Sequence, residues 1–163
     1  MTLLDLLFGK KKTVTDSMLG AFVSGRMRGE NPHKQYSWYG GYLMPNAPEE
    51  SSVILEGNNV EPSPSQLIEV KSILKNLDQL WAKVDLRLDI ESKSLSLSER
   101  EVFRNWRSIF YLAAIHPLEN NTKPNFEICF DPIDKDSLAY MIFSYSGGEL
   151  TEIEISAPKQ TKS

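Results

Sequence analysis

The sequence has a single cysteine, Cys129, and only two histidines, His33 and His116, among its 163 residues. One thiol cannot close an intramolecular disulfide or build a cysteine-rich zinc site, and such a chain fits a reducing cytoplasm. Neither histidine sits in a His-x-x-x-His or Cys-x-x-Cys spacing, so the pattern indicates no metal and no cofactor. Long apolar runs are missing too: no stretch approaches the ~20 residues that a membrane-spanning helix requires. The opening leucines Leu3, Leu6 and Leu7 are interrupted by Asp5 and followed by Lys10-Lys11-Lys12, the reverse order of a secretory signal. They are expected on the apolar side of a short N-terminal helix. Positive charge is also in deficit, with 18 Lys and Arg against 22 Asp and Glu and a net charge of −4. That balance argues against nucleic acid as a partner, because phosphate backbones are held by clustered cations.

What remains is an ordinary globular composition, 40% hydrophobic and 25% charged, with nine glycines and nine prolines. The length suits one domain over residues 1–157, followed by a polar tail at 158–163 that is expected to be disordered. Alternating residues from Met18 to Met27 predict a strand. The aromatic run Tyr36 to Leu43 predicts its hairpin partner, with Trp38 and Tyr42 facing the core, Tyr39 facing out, and Gly40-Gly41 marking a bulge or a close approach. Val53-Ile54-Leu55 reads as a third strand. Ser63-Pro64-Ser65-Gln66 then combines a cap, a helix-first proline and a capping-box glutamine. Leu67, Val70, Leu74, Leu77, Trp81, Val84 and Leu88 follow at steps of three and four, predicting one long helix. Ser98-Glu99-Arg100-Glu101 predicts a second, short helix that buries Phe103 and Trp106. Four strands close the chain: 109–115, 126–130, 137–145 and 150–155. This order predicts an α+β fold, an antiparallel sheet of about seven strands with one long and one short helix packed on one side.

Motifs for catalysis are absent from the pattern. Gly20, Gly25 and Gly29 are scattered instead of forming a phosphate cradle. Cys129 lies between Glu127 and Asp131, whose charges raise a thiol pKa and so disfavour a reactive thiolate. His116 precedes Pro117 at a predicted strand end with no sequence-near ligand. The charge layout is more informative. Residues 119–156 carry eight acids against Lys123 and Lys135, a local charge of −6, so more than the whole net charge lies in this stretch. Glu127, Asp131, Asp134, Asp136, Glu149, Glu152 and Glu154 are therefore the candidate partner-binding residues, provided that the strands turn them to one face.

The run Phe126-Glu127-Ile128-Cys129-Phe130-Asp131, followed by an acidic turn, a long apolar strand and a Gly-turned last strand, resembles the C-terminal half of the DUF2262 proteins. Asp16-Ser17-Met18-Leu19-Gly20-Ala21-Phe22, with the aromatic strand Tyr36-Ser37-Trp38-Tyr39-Gly40-Gly41 and the long helix, is similar to that family's first half. The resemblance implies a small bacterial immunity protein that neutralises a polymorphic or contact-dependent toxin without catalysis. Leu138-Ala139-Tyr140-Met141 departs from the Phe-Trp-Gly-His-like stretch expected there, so nothing attached to that histidine carries over. The resulting expectation is a cytoplasmic, non-catalytic module that occludes the basic surface of a toxin. Two rivals are a small-ligand binder or enzyme with a helix–sheet pocket near His116 and Tyr140, and an assembly accessory protein.

Overall fold

Residues 9–27, 31, 33–118 and 125–156 are described by the structure, a computed structural model. Alternation of apolar and polar side chains builds eight strands: β1 (Thr13–Asp16), β2 (Gly20–Ser24), β3 (Tyr36–Tyr42), β4 (Ser51–Gly57), β5 (Phe110–Pro117), β6 (Asn125–Pro132), β7 (Tyr140–Ser146) and β8 (Glu149–Ser156). They form one sheet in sequence order. Every neighbouring pair is antiparallel except β4 and β5, which run parallel because the helices lie between them in the chain. Those helices are α1 (Pro64–Lys75), α2 (Leu77–Glu91) and α3 (Leu97–Arg104). The fold class is thus α+β, with an eight-stranded, mostly antiparallel sheet and three helices.

One face of the sheet supplies the core. Phe22, Trp38, Val53, Leu55, Leu112, Ile115, Phe126, Ile128, Phe130, Met141 and Phe143 are all fully buried there. Val70, Ile73, Leu74, Leu80, Val84, Leu88 and Phe103 of the helices join the same cluster. The aromatic hairpin divides by pleat, with Trp38 inside and Tyr39 49% exposed. The opposite face has no helix packed on it among the described residues.

Three expectations need correction. The first strand does not begin at Met18: Met18 and Leu19 sit in a turn, where both backbone N–H groups donate to Asp16 Oδ1 at 2.8 and 3.0 Å. An additional strand, β1, precedes that turn, so there are eight strands and not seven. The long helix is two helices. Asn76 leaves helical geometry (φ −118°, ψ 42°), its N–H and side-chain amide closing α1 on Ile73 and Ser72 while its carbonyl accepts from Gln79 and Leu80 at the start of α2. The apolar stripe stays in phase across the break, which is why periodicity alone does not reveal it. Both capping boxes also differ from expectation. Ser63 makes no side-chain cap: its hydroxyl meets Ser65 Oγ at 3.0 Å, while Gln66 accepts from the Glu56 N–H at 2.8 Å. The second box forms two residues early, between Ser96 and Glu99, and starts α3 at Leu97. The expected N-terminal leucine helix, the turn at 119–124 and the tail from Pro158 lie outside the described residues.

Two contacts set testable limits on this architecture. Gly57 forms a bridge with Pro62, and a Cβ there would land on the carbonyl oxygen of Glu61, 2.6 Å from Pro62 Cα and 2.8 Å from Trp38 Nε1. Gly57→Ala should therefore cost about 1–3 kcal/mol by denaturant titration, since backbone and a buried tryptophan must shift. Gly41→Ala meets only the flexible Glu50 carboxylate and should be close to neutral; equal costs at the two sites would refute the argument.

Asp16 also joins the first turn to α1 through an ion pair with Lys71 Nζ at 2.7 Å. Burial raises its carboxyl pKa, but the Lys71 hydrogen bond and charge and the two backbone donors outweigh this and hold it below the ordinary aspartate value. A lowered folded pKa means stability that is complete above the unfolded value and lost as pH falls through the folded one. The stability difference between wild type and Asp16→Asn should thus be constant at neutral pH and narrow below about pH 4, measured by urea unfolding across pH. A gap that widens on acidification would be the contrary result.

Candidate functional site

The uncovered face of the C-terminal half is where the chemistry-bearing side chains gather. Strict alternation from Phe110 and Leu112 would send Ala114 and His116 into the core. An irregularity between Leu112 and Ala114 inserts one extra residue into β5 opposite β6, so the phase resets at Ala113. Ile115 consequently points inward, fully buried, and His116 points outward. There it pairs directly across the strands with Glu127, and Cys129 lies two residues along the same face. His116 Nε2 is 3.4 Å from Glu127 Oε2 and also 3.4 Å from Cys129 Sγ. The nearest donor atoms of the three side chains all lie within 4.8 Å of one another. Pattern reading missed this trio, because the two side chains on β6 and the one on β5 converge only through the register.

Cys129 and His116 have the types of a nucleophile and base, but their surroundings oppose thiolate chemistry. Burial, followed by the charges of Glu127 and Asp131, pushes the thiol up to about 11. Cys129 is also mid-strand between Ala114 and Ile142, where ladder pairing occupies the backbone amides that an oxyanion would need. His33 lies apart, in an exposed turn.

The structure separates the seven acidic candidates. Glu127 pairs with Ser144, and Ser144 with Glu152, so all three stand in one row on the uncovered face. Glu154 follows Glu152 by two residues on that face and accepts a hydrogen bond from Tyr140 Oη at 2.6 Å. Asp131 shares the face at the far end of β6, opposite Tyr111. Asp134 and Asp136 belong instead to the β6–β7 connection, where Asp134 Oδ1 accepts from the Asp136 N–H. Glu149 is drawn to the helix side by Lys83 of α2, 3.0 Å away. Strands β5 to β8 together hold five acidic residues and no Lys or Arg. Apolar and small side chains, among them Tyr39, Ile54, Ala114 and Ile142, extend this face across the middle of the sheet.

Among the described residues, a helix–sheet pocket lies away from His116. A cleft of about 290 Å³ opens between the β3–β4 loop, α2 and the 3₁₀ turn Trp106–Ser108. Its walls include Met44, Trp81, Trp106, Phe110 and Phe130, on the opposite face from His116 and Tyr140. Arg107 is the one charged group in its lining, and Arg107 is bound to Asp85, which also accepts from Trp106 Nε1 at 2.7 Å. The cleft is therefore mainly apolar, with the Tyr111 phenol its other ionisable group. No helix of the described residues is long and apolar enough to cross a membrane. No protein-family model, curated protein or solved structure matches the chain.

Proposed function

We propose that this protein is a non-catalytic binding module whose uncovered sheet face docks the basic surface of a protein partner. The observation that carries this reading is the joint placement of Glu127, Glu152 and Glu154 on a face with no covering element among the described residues and no strand-borne cation in β5 to β8. Tyr39, Ile54 and Ile142 give the same face an apolar interior beside the acidic rows, which is the division found in stable protein interfaces. Negative charge concentrated there steers a cationic partner and orients it before contact. Toxin neutralisation is the form of docking that the family resemblance suggests, with occlusion of a basic active surface as the mechanism.

The deciding experiment mixes the purified protein with the product of the gene adjacent to its own and follows complex formation by calorimetry and protection of cells that express that product. A saturable complex that weakens steeply with added salt supports the reading. Absence of both complex and protection overturns it.

A further inference from the structure

We propose that His116, Glu127 and Cys129 form a binding site for one divalent cation of the zinc class. The argument begins with an unsatisfied geometry. Both short contacts, to Glu127 Oε2 and to Cys129 Sγ, are made by the same ring atom, His116 Nε2. If Nε2 carries a proton, it can donate to the carboxylate but cannot accept from the thiol. If it carries none, it can accept from the thiol but its lone pair faces the carboxylate oxygen. Neither tautomer gives each contact its own well-directed hydrogen bond. A cation among the three atoms uses all three lone pairs together.

Two of the three ligand–ligand spacings agree with that reading, and the third, Glu127 to Cys129, lies within 4.8 Å. Zinc bonds of ~2.3 Å to sulfur and ~2.0–2.2 Å to nitrogen and oxygen give tetrahedral ligand–ligand edges of roughly 3.3–3.6 Å. The two contacts at 3.4 Å lie within that range, before any adjustment on binding. The lattice that holds the donors is rigid: His116 and Glu127 are direct cross-strand partners, and Cys129 is fixed by pairing on both sides. Ala114 stands opposite Cys129, and the His116 ring from two residues further along β5 reaches the sulfur.

Ligand type selects the metal. One thiolate, one imidazole and one carboxylate form a borderline-soft set that suits zinc and cobalt and poorly suits magnesium or calcium. Thiolate and carboxylate together also neutralise a divalent charge, and a cation there offsets the anionic neighbours that disfavour the thiolate. All three donors rise from one sheet face, so the fourth tetrahedral position opens away from the sheet, to water or to a group brought by another molecule. Three protein ligands with an open fourth position are the arrangement of zinc sites that exchange a ligand.

The test uses the full chain alone, reduced and freed of metal, with Co²⁺ and Zn²⁺ as probes, so it is independent of the docking proposal. Titration with Co²⁺ should give one saturable site with an intense thiolate-to-cobalt charge-transfer band and the strong visible bands of tetrahedral cobalt. Zn²⁺ should displace it and Mg²⁺ should not. Cys129→Ser should abolish the charge-transfer band, and His116→Gln should weaken Co²⁺ binding by at least ~10-fold. Circular dichroism of both variants identifies any loss of fold. Retention of metal is tested separately in the wild type, where Zn²⁺ should slow alkylation of Cys129 and raise the melting temperature. Absence of saturable Co²⁺ binding in the folded wild type, or a charge-transfer band that persists in Cys129→Ser, overturns the site.

Discussion

Phe130→Ala should lower the stability of the protein by about 3–5 kcal/mol, the range for removing a fully buried aromatic ring. The ring is inaccessible to solvent and meets three others, Trp81, Trp106 and Phe143, at centroid distances of 5.6, 5.4 and 5.7 Å. The Trp106 and Phe143 contacts are edge-to-face, an arrangement worth ~0.5–1.5 kcal/mol per pair beyond the buried area. Phe130 thus connects α2, the 3₁₀ turn and two strands, and a cavity at this point cannot be closed by moving one neighbour. For a chain of this size the melting temperature should fall by on the order of 10 °C. Phe130→Leu keeps much of the volume and should lose roughly half as much. A loss below ~1 kcal/mol for the alanine variant would show that the ring is not packed in this way.

Reversing Glu152 and Glu154 together to lysine should slow association with the basic partner by ~10-fold or more at low ionic strength. The gap from wild type should shrink as salt is added, since exposed charges beyond a Debye length are screened. Both positions are exposed, and neither contributes an atom to the His116, Glu127 and Cys129 trio. The substitutions therefore test the charged face without touching the proposed metal site. Stopped-flow or surface-based kinetics measure the rate, and thermal unfolding checks that the fold is kept. An unchanged association rate would place the docking surface elsewhere.

Strands β6 and β7 were legible in the sequence because their side chains obey a period of two without interruption. Phe126, Ile128 and Phe130 point inward and Glu127 and Cys129 outward, as alternation requires. The helix start at Pro64 was legible for a different reason, since a fixed φ and a missing N–H suit the first helical position. Strand β1 was hidden because four residues carry almost no periodic signal. The break at Asn76 was hidden because the residues on each side keep the same apolar spacing. The trio was hidden for a deeper reason: its existence depends on a phase reset within Tyr111-Leu112-Ala113-Ala114, and an extra residue in a uniformly apolar run alters no pattern that a single sequence displays. Acidic clustering could be counted along the chain, but register determined which acids share a face and which, like Glu149, are claimed by a lysine of a helix.

The parallel meeting of β4 and β5 has a consequence for how the chain can assemble. Each set of four strands is a run of neighbours in sequence, so each can zip with short loop closures and little entropic delay. Only the central pair, with Ser52 beside Ala114 and Val53 beside Ile115, requires distant segments to find each other. A buried clasp at that join, the Ser51 hydroxyl donating to the Leu112 carbonyl at 2.6 Å, forms only once the two halves have met. The sheet is continuous in space but has a seam in time, and its two halves are the natural units of partial opening.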